Sequence, residues 1–417
     1  MRLAGRIAAA VEVLHEVLTR HRPASEALKD WGKAHRFAGS ADRHAVGTLV
    51  YDGLRTRLSS AARGGGDTAR QITLGTLAGQ WHMDVEAIAA TVGEQHGPGA
   101  LTEAEKAHLQ RVPAVEARLE SWVEADIPHW LWPQFESQFG AAAVQQGRGL
   151  ASRAPIDLRA NSLKASREQV IEALSRFGAG AGPLSPWAVR IAAPGPELKH
   201  VNVEAEPAHG MGWFEVQDAA SQLAALLSGV RPGWRVADIC AGAGGKTLAL
   251  AAMMNNEGEL IAHDKDRHRL RPIFERLTRA GASCVKVEEP KGLFDCVLID
   301  APCSGSGAWR RKPDSKWKLT RKLLDQRKAG QREVLGAGAA LVKPGGRLVY
   351  VTCSVLAEEN NEQVAAFLAA NPGFSLVPTA EAMADAPPSA DGRSDSLLLT
   401  PHSHGSDGFF VAVMQKA

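Results

Sequence analysis

From about residue 219 the chain alternates strand-like and helix-like stretches, and this alternation restricts its fold more than any other feature. Runs of β-favouring residues occur at RVADIC (235–240), ELIAHD (259–264), CVKV (284–287), FDCVLID (294–300) and GRLVYVTC (346–353), with helical stretches between them. Strands joined through helices pair in parallel by right-handed crossovers. The expected class is therefore α/β with a parallel, Rossmann-like sheet. SLLLT and GFFVAVMQ close the chain without a long helix between them. They predict an antiparallel hairpin at one sheet edge.

The residues before 219 follow other periods. Ile7, Val11, Leu14 and Leu18, then Val46, Leu49, Val50 and Leu54, recur at helical spacing, and Gly64-Gly65-Gly66 marks a loop. Residues 1–140 are expected to form an all-helical domain. Residues 141–218 read as a small α+β module. PIDLRANSLK is a strand and turn, the stretch through Val170 and Leu174 a helix ending at Gly178, and WAVRIAA a second strand. Residues 219–417 form the third domain. A chain of 417 residues accommodates three such cores.

Composition excludes several classes. The chain is 45% hydrophobic and 23% charged, an ordinary globular balance rather than a disordered or fibrous one. Its apolar runs are short, so no membrane span is expected. Glu12, His15 and Glu16 interrupt the N-terminal apolar stretch, which argues against a signal peptide. Five cysteines without a CxxC pair point to a reducing, cytoplasmic setting and no metal site. Nothing requires more than a monomer. The net charge is only +2, yet residues 301–332 hold ten Lys/Arg and two Asp, a local balance of +8. Such an island suggests contact with a polyanion.

RVADIC runs into a glycine-rich turn, AGAGGKT, and then a helix. A turn of this kind lets a ligand approach the backbone and aims the positive helix end at it. A Walker loop would need Gly at position 240, which is Cys, and the dinucleotide fingerprint would need Gly at 247, which is Thr. Asp264 ends the next strand, where an acid accepts hydrogen bonds from a ribose diol. The turn therefore suits a nucleoside-containing ligand. The alternative is a tight turn beside an ordinary terminal Asp.

Cys303 in DAPCSGSG and Cys353 in TCS both sit just past expected strands, at the sheet edge where α/β folds bind ligands. A phosphatase loop is excluded, because position 309 is Trp rather than Arg. Cys240, Cys284 and Cys296 lie in or beside strands, where core packing is the better reading.

Together DICAGAGGKTLALA, DAPCSGSGAWRRKPDSKW, YVTCSVLAEENNEQV and the terminal GFF resemble the motifs of the RNA cytosine-5 methyltransferases, most closely the bacterial RsmB/Sun branch acting on small-subunit ribosomal RNA. From about residue 150 the resemblance is strong. DRHAVGTLVYDGLR, near the N-terminus, is similar to part of a NusB-type helical RNA-binding domain. The resemblance implies a class I methyltransferase sheet, S-adenosylmethionine as cofactor and RNA as partner. Cys240, Ala241, Gly242, Ala243, Gly244, Gly245 and Lys246 would wrap the cofactor and Asp264 would hold its ribose. Asp300 would lie at the catalytic centre and touch the cofactor. Cys353 would be the nucleophile and Cys303 would assist product release. The family usually places an acid near the adenine after the third strand; here Glu288 and Glu289 are the nearby acids.

Cytosine C5 takes a methyl group only after a nucleophile adds at C6, and cysteine both attacks and leaves readily. The base must leave its stack to react. Arg310, Arg311, Lys312, Lys316 and Lys318 could neutralise phosphates, and Trp309 or Trp317 could stack on a base. The bland alternative is a solvated charged face. Two rival functions remain. One is a catalytically quiet RNA-binding or ribosome-assembly factor with the same fold, which would be expected to lack a cysteine or the glycine turn. The other is a methyltransferase with another target. DAPC differs from the [ND]PP[YF] pattern of amine methyltransferases, and DNA cytosine enzymes place their nucleophile in the Pro-Cys motif.

Overall fold

A computed structural model describes residues 1–195 and 201–417. Two compact units emerge. Residues 1–153, 193–195 and 309–318 cluster in the first; 154–192, 201–308 and 319–417 form the second.

The first unit is helical. Its long helix Leu3–Arg20 buries Ile7, Ala10, Val13, Leu14 and Val17 on one face. That face joins Val46, Leu49, Val50 and Leu54 of the helix Ser40–Arg55 and Ile88 of Val85–Val92 in a common core. Thr68 caps the helix Ala69–Gly79 in a capping box with Gln71. Helices continue to Leu150, ten residues past the expected domain boundary.

The second unit contains two sheets. The smaller is antiparallel and built from β1 (Ile156–Ala160), β2 (Gly180–Ala181), β3 (Ala188–Ile191) and β4 (Phe214–Val216), in the order β2-β3-β1-β4. The larger contains β5 (Arg235–Asp238), β6 (Glu259–Ala262), β7 (Val285–Val287), β8 (Phe294–Asp300), β9 (Val342–Thr352), β10 (Phe374–Leu376), β11 (Leu397–Leu399) and β12 (Phe409–Lys416). Its order is β10-β12-β9-β8-β5-β6-β7, with β11 also paired to β12. β5 to β9 pair in parallel, and β12 is antiparallel to β9. Central strands buried on both faces require near-continuous apolar runs, as in the CVLI of β8 and the LVYV of β9.

The expected terminal hairpin is present, since β11 pairs antiparallel with β12. It does not form the edge: β12 lies inside the sheet, with β10 beyond it. Three residues of β10 leave too short a pattern to read in sequence. The parallel register carries the ends of β5, β8 and β9 to one side of the sheet, and the turn after β5, Asp300 and Cys353 all follow those ends.

Candidate active site

The turn after β5 is shaped by two left-handed glycines, Gly242 (φ 52°) and Gly244 (φ 85°). A Cβ on Gly244 would lie 2.5 Å from Ile273 Cγ1, so only glycine fits. The helix Gly245–Met253 starts there. The Gly242 N–H donates to Asp264 Oδ2 (3.0 Å), while Asp264 Oδ1 accepts from the Asp266 N–H (2.9 Å). Arg269 pairs with Asp264 at 3.0 Å. Thr247 donates to the buried Asp238, whose carboxyl is pushed up to about 7 by burial.

From the small sheet, Arg159 donates to the Gly245 carbonyl (3.0 Å), and Arg276 donates to that of Ala243 (2.6 Å) while pairing with Glu215 of β4. The turn is therefore braced by an arginine of β1 and by an arginine of the helix Ile273–Ala280 that is itself tied to β4. Neither arginine was singled out in the sequence. Arg159 lies in β1 and Arg276 in the helix Ile273–Ala280, and neither local pattern announces the contact.

Beside the turn lies a cavity of about 620 Å³ lined by Cys240, Asp264, Arg269, Glu289, Pro302 and neighbours. Glu288 lines an adjoining cleft with Phe274 instead. A cavity of this size, with Asp264, Asp266, Glu289 and Glu333 at its wall, fits a nucleoside. Burial pushes the Cys240 thiol well up, so it meets a ligand as a neutral group.

Asp300 ends β8, and its Oδ2 accepts from Lys246 Nζ at 2.7 Å. Lys246 is buried and lies 5.0 Å from the ring centre of Phe409, in the GFF element. Cys303 and Cys353, fifty residues apart, bring their sulfurs to 3.3 Å. The Cys303 hydrogen bond, aided by the Lys246 ammonium, holds the Cys353 thiol below its ordinary value. The same bond, with burial, pushes Cys303 well up. Of the pair, Cys353 is the easier to ionise and hence the better nucleophile.

The loops bearing the sulfurs are welded together. The Gly307 N–H donates to the Cys353 carbonyl (3.0 Å), and the Gly408 N–H to the Gly307 carbonyl (2.9 Å). A Cβ on Gly307 would stand 1.9 Å from the Gly408 oxygen. Gly307 of DAPCSGSG and Gly408 of DGFF are thus required by close backbone approach.

The basic island divides. Trp309 is wholly buried; Arg310 (3% exposed) and Lys316 (1% exposed) are nearly so. The Arg310 carbonyl accepts from Arg55 (2.7 Å), Lys316 Nζ donates to the Arg55 carbonyl (3.0 Å), and Trp317 Nε1 donates to that of Leu54 (2.7 Å). Burial lowers Lys316 to about 8. Lys318 pairs with Asp314 at 3.0 Å. Arg311 and Lys312 are exposed. The expectation that Arg310, Lys316 and Trp317 face RNA is replaced by a packing role within the helical unit. Charge and aromaticity are visible in sequence, but burial is not.

The sheet and its glycine turn define a class I methyltransferase fold, whose methyl donor is S-adenosylmethionine. Residues 225–415 match the family model described as 16S rRNA methyltransferase RsmB/F, and residues 127–196 match its ferredoxin-like domain. Over 309 residues the chain is 32% identical to “Probable ribosomal RNA small subunit methyltransferase B” of Synechocystis, covering 70% of this chain and 67% of that protein. Over 303 residues it is 34% identical to a ribosomal RNA small subunit methyltransferase B of Klebsiella pneumoniae, covering 69% and 66%. A solved methyltransferase homolog from Pyrococcus horikoshii superposes with a TM-score of 0.59 at 26% identity, over 71% of this chain and 98% of that one. The chain belongs to the RsmB/F family of 16S rRNA methyltransferases. No helix among the described residues is long and apolar enough to cross a membrane.

Proposed function

We propose that the protein transfers a methyl group from S-adenosylmethionine to C5 of a cytosine in small-subunit ribosomal RNA, through a covalent bond between Cys353 and C6. The observation that carries this reading is the 3.3 Å approach of two cysteine sulfurs beside the Lys246–Asp300 pair. One cysteine alone would allow many chemistries. Two at one point, one easier to ionise than the other, suit addition and release at adjacent ring carbons.

Residues 240–246 would hold the cofactor through their backbone, Asp264 would take the ribose hydroxyls, and Glu289, on the wall of the same cavity, would be the acid available to the adenine. The cofactor supplies an electrophilic methyl carbon. Cys353 thiolate adds to C6, and the displaced electron pair makes C5 nucleophilic. Charge building at N3 and O2 is met by a proton shared between N3 and Asp300, with Lys246 holding that carboxylate. Once Cys353 is alkylated its negative charge is gone, so Cys303 ionises more easily. Cys303 then takes the C5 proton, the C5–C6 double bond re-forms, and the thiolate of Cys353 leaves. Arg311 and Lys312 meet RNA phosphates, and Lys318 flanks them. Residues 1–140 act as the helical RNA-binding domain, 141–218 as the module bracing the turn, and 219–417 as the methyltransferase domain. The enzyme acts as a monomer in the cytoplasm.

The test is a pair of variants. Cys353→Ala should abolish methyl transfer, by about 10⁴-fold or more, with cofactor affinity unchanged. Cys303→Ala should accumulate an RNA–protein adduct on denaturing gels. Residual transfer in the first, or no adduct in the second, refutes the assignment. Bisulfite sequencing of ribosomal RNA with and without the gene checks the base.

A further inference from the structure

We propose that Glu359 is a positioning residue that fixes both sulfurs at one point by clamping the residues next to each cysteine. The inference rests on the two-cysteine reading above and extends it. Glu359 ends the short turn Ala357–Glu359 and is 0% exposed. Its carboxylate accepts from the Ser304 N–H (2.7 Å), Ser304 Oγ (2.5 Å), Ser354 Oγ (2.6 Å) and Gln331 Nε2 (3.1 Å). Ser304 follows Cys303 and Ser354 follows Cys353, so one side chain holds both loops.

The remaining flanks are tied to the same group's neighbours. Gln331 also donates to the Pro302 carbonyl (3.0 Å), just before Cys303. Asn360 accepts from Thr352 Oγ1 (2.6 Å) and donates to the Ser354 carbonyl (3.0 Å), on either side of Cys353. Tyr350 OH donates to the Glu359 carbonyl (2.7 Å) and ties the turn to β9.

A buried carboxylate is expensive unless its oxygens are fully hydrogen-bonded. The adjacent Glu358 takes the cations Arg321 and Lys328. The hydrogen bonds to Glu359 come from an N–H, two hydroxyls and an amide. An apolar side chain would fill the space at less cost, but could not accept from both serines at once.

The test uses the full chain with Glu359→Gln, Glu359→Asp and Glu359→Ala, and reads sulfur proximity without catalysis. Diamide joins two neighbouring thiols: both thiol protons and two electrons pass to its N=N bond, and an S–S bond forms. The rate of the Cys303–Cys353 disulfide is followed by mass spectrometry. Affinity for S-adenosylhomocysteine reports on an intact fold. A misplacement of about 1 Å costs about a hundredfold in rate. Glu359→Ala and Glu359→Asp should therefore slow disulfide formation by about that factor. Glu359→Gln keeps the reach, with one oxygen accepting from the Ser304 N–H and Gln331 and an amide NH₂ that donates to the serine hydroxyl oxygens instead, and should stay close to wild type. Methyl transfer should follow the same order, in kcat rather than KM for RNA.

An unchanged disulfide rate in a folded Glu359→Ala variant overturns the proposal. So does rescue by Asp with failure of Gln, which would make charge rather than reach the cause. If Ala does not fold, the Gln and Asp pair decides. A lost disulfide rate with intact methyl transfer supports the clamp and refutes the two-cysteine mechanism, so the two failures are distinguishable.

Discussion

Residues 302–308 and 309–318 are adjacent in the chain, yet they are organised oppositely. In the first stretch, small residues and one thiol are held by backbone and hydroxyl hydrogen bonds around Cys353. In the second, Trp309, Arg310, Lys316 and Trp317 pack within the helical unit, while Arg311 and Lys312 stay exposed. Trp317 joins its core and Lys316 sits 4.7 Å from that indole's centre. The difference teaches that a site is marked by what holds its groups in place, whereas charge density alone marks neither a site nor a surface.

The sharpest way to break this comparison is Lys316→Glu. It puts a second carboxylate near the buried Asp126, and should destabilise the helical unit by about 4 kcal/mol in thermal or denaturant unfolding. Near-wild-type stability would return the segment to the solvent. Gly307→Ala drives a methyl into the Gly408 carbonyl and should cost about 2 kcal/mol, with loss of methyl transfer from a displaced Cys353 loop.

A third test concerns acidity. The Cys353 thiol lies below its ordinary value because Cys303 donates to it, so its alkylation should set in at lower pH than that of Cys303. Cys303→Ala removes the donor and should move the onset upward. No movement would assign the effect to Lys246 instead. The smallest effect is expected from Arg311→Glu with Lys312→Glu. Stability should change by no more than about 0.5 kcal/mol. The salt slope of RNA binding should fall by about one to two.

The class of the fold was legible because apolar strand runs, short in β5 and β6 and longer in β8 and β9, alternate with helical stretches. The sulfur pair was legible because PCS and TCS follow strand ends, and parallel register brings such ends together. β10 was not legible, since three residues carry no period. The glycine turn showed its ligand class but not its bracing. Arg159 and Arg276 reach it from elements remote in sequence, and no local pattern announces a side chain that holds another segment's carbonyl. Glu359 lies inside YVTCSVLAEENNEQV, but its role exists only once Ser304 and Ser354 are neighbours in space.

The chain leaves the catalytic unit after Ala308 and rejoins it at Leu319, and the intervening ten residues belong to the helical body. The two bodies therefore cannot be separated by a single cut. A fragment starting at residue 154 would keep the whole web around the sulfurs, but its excised partner would take away the bed of two indoles and a desolvated ammonium. Such a fragment should be sticky and prone to clump, so dissecting this enzyme calls for replacing residues 309–318 with a short polar bridge.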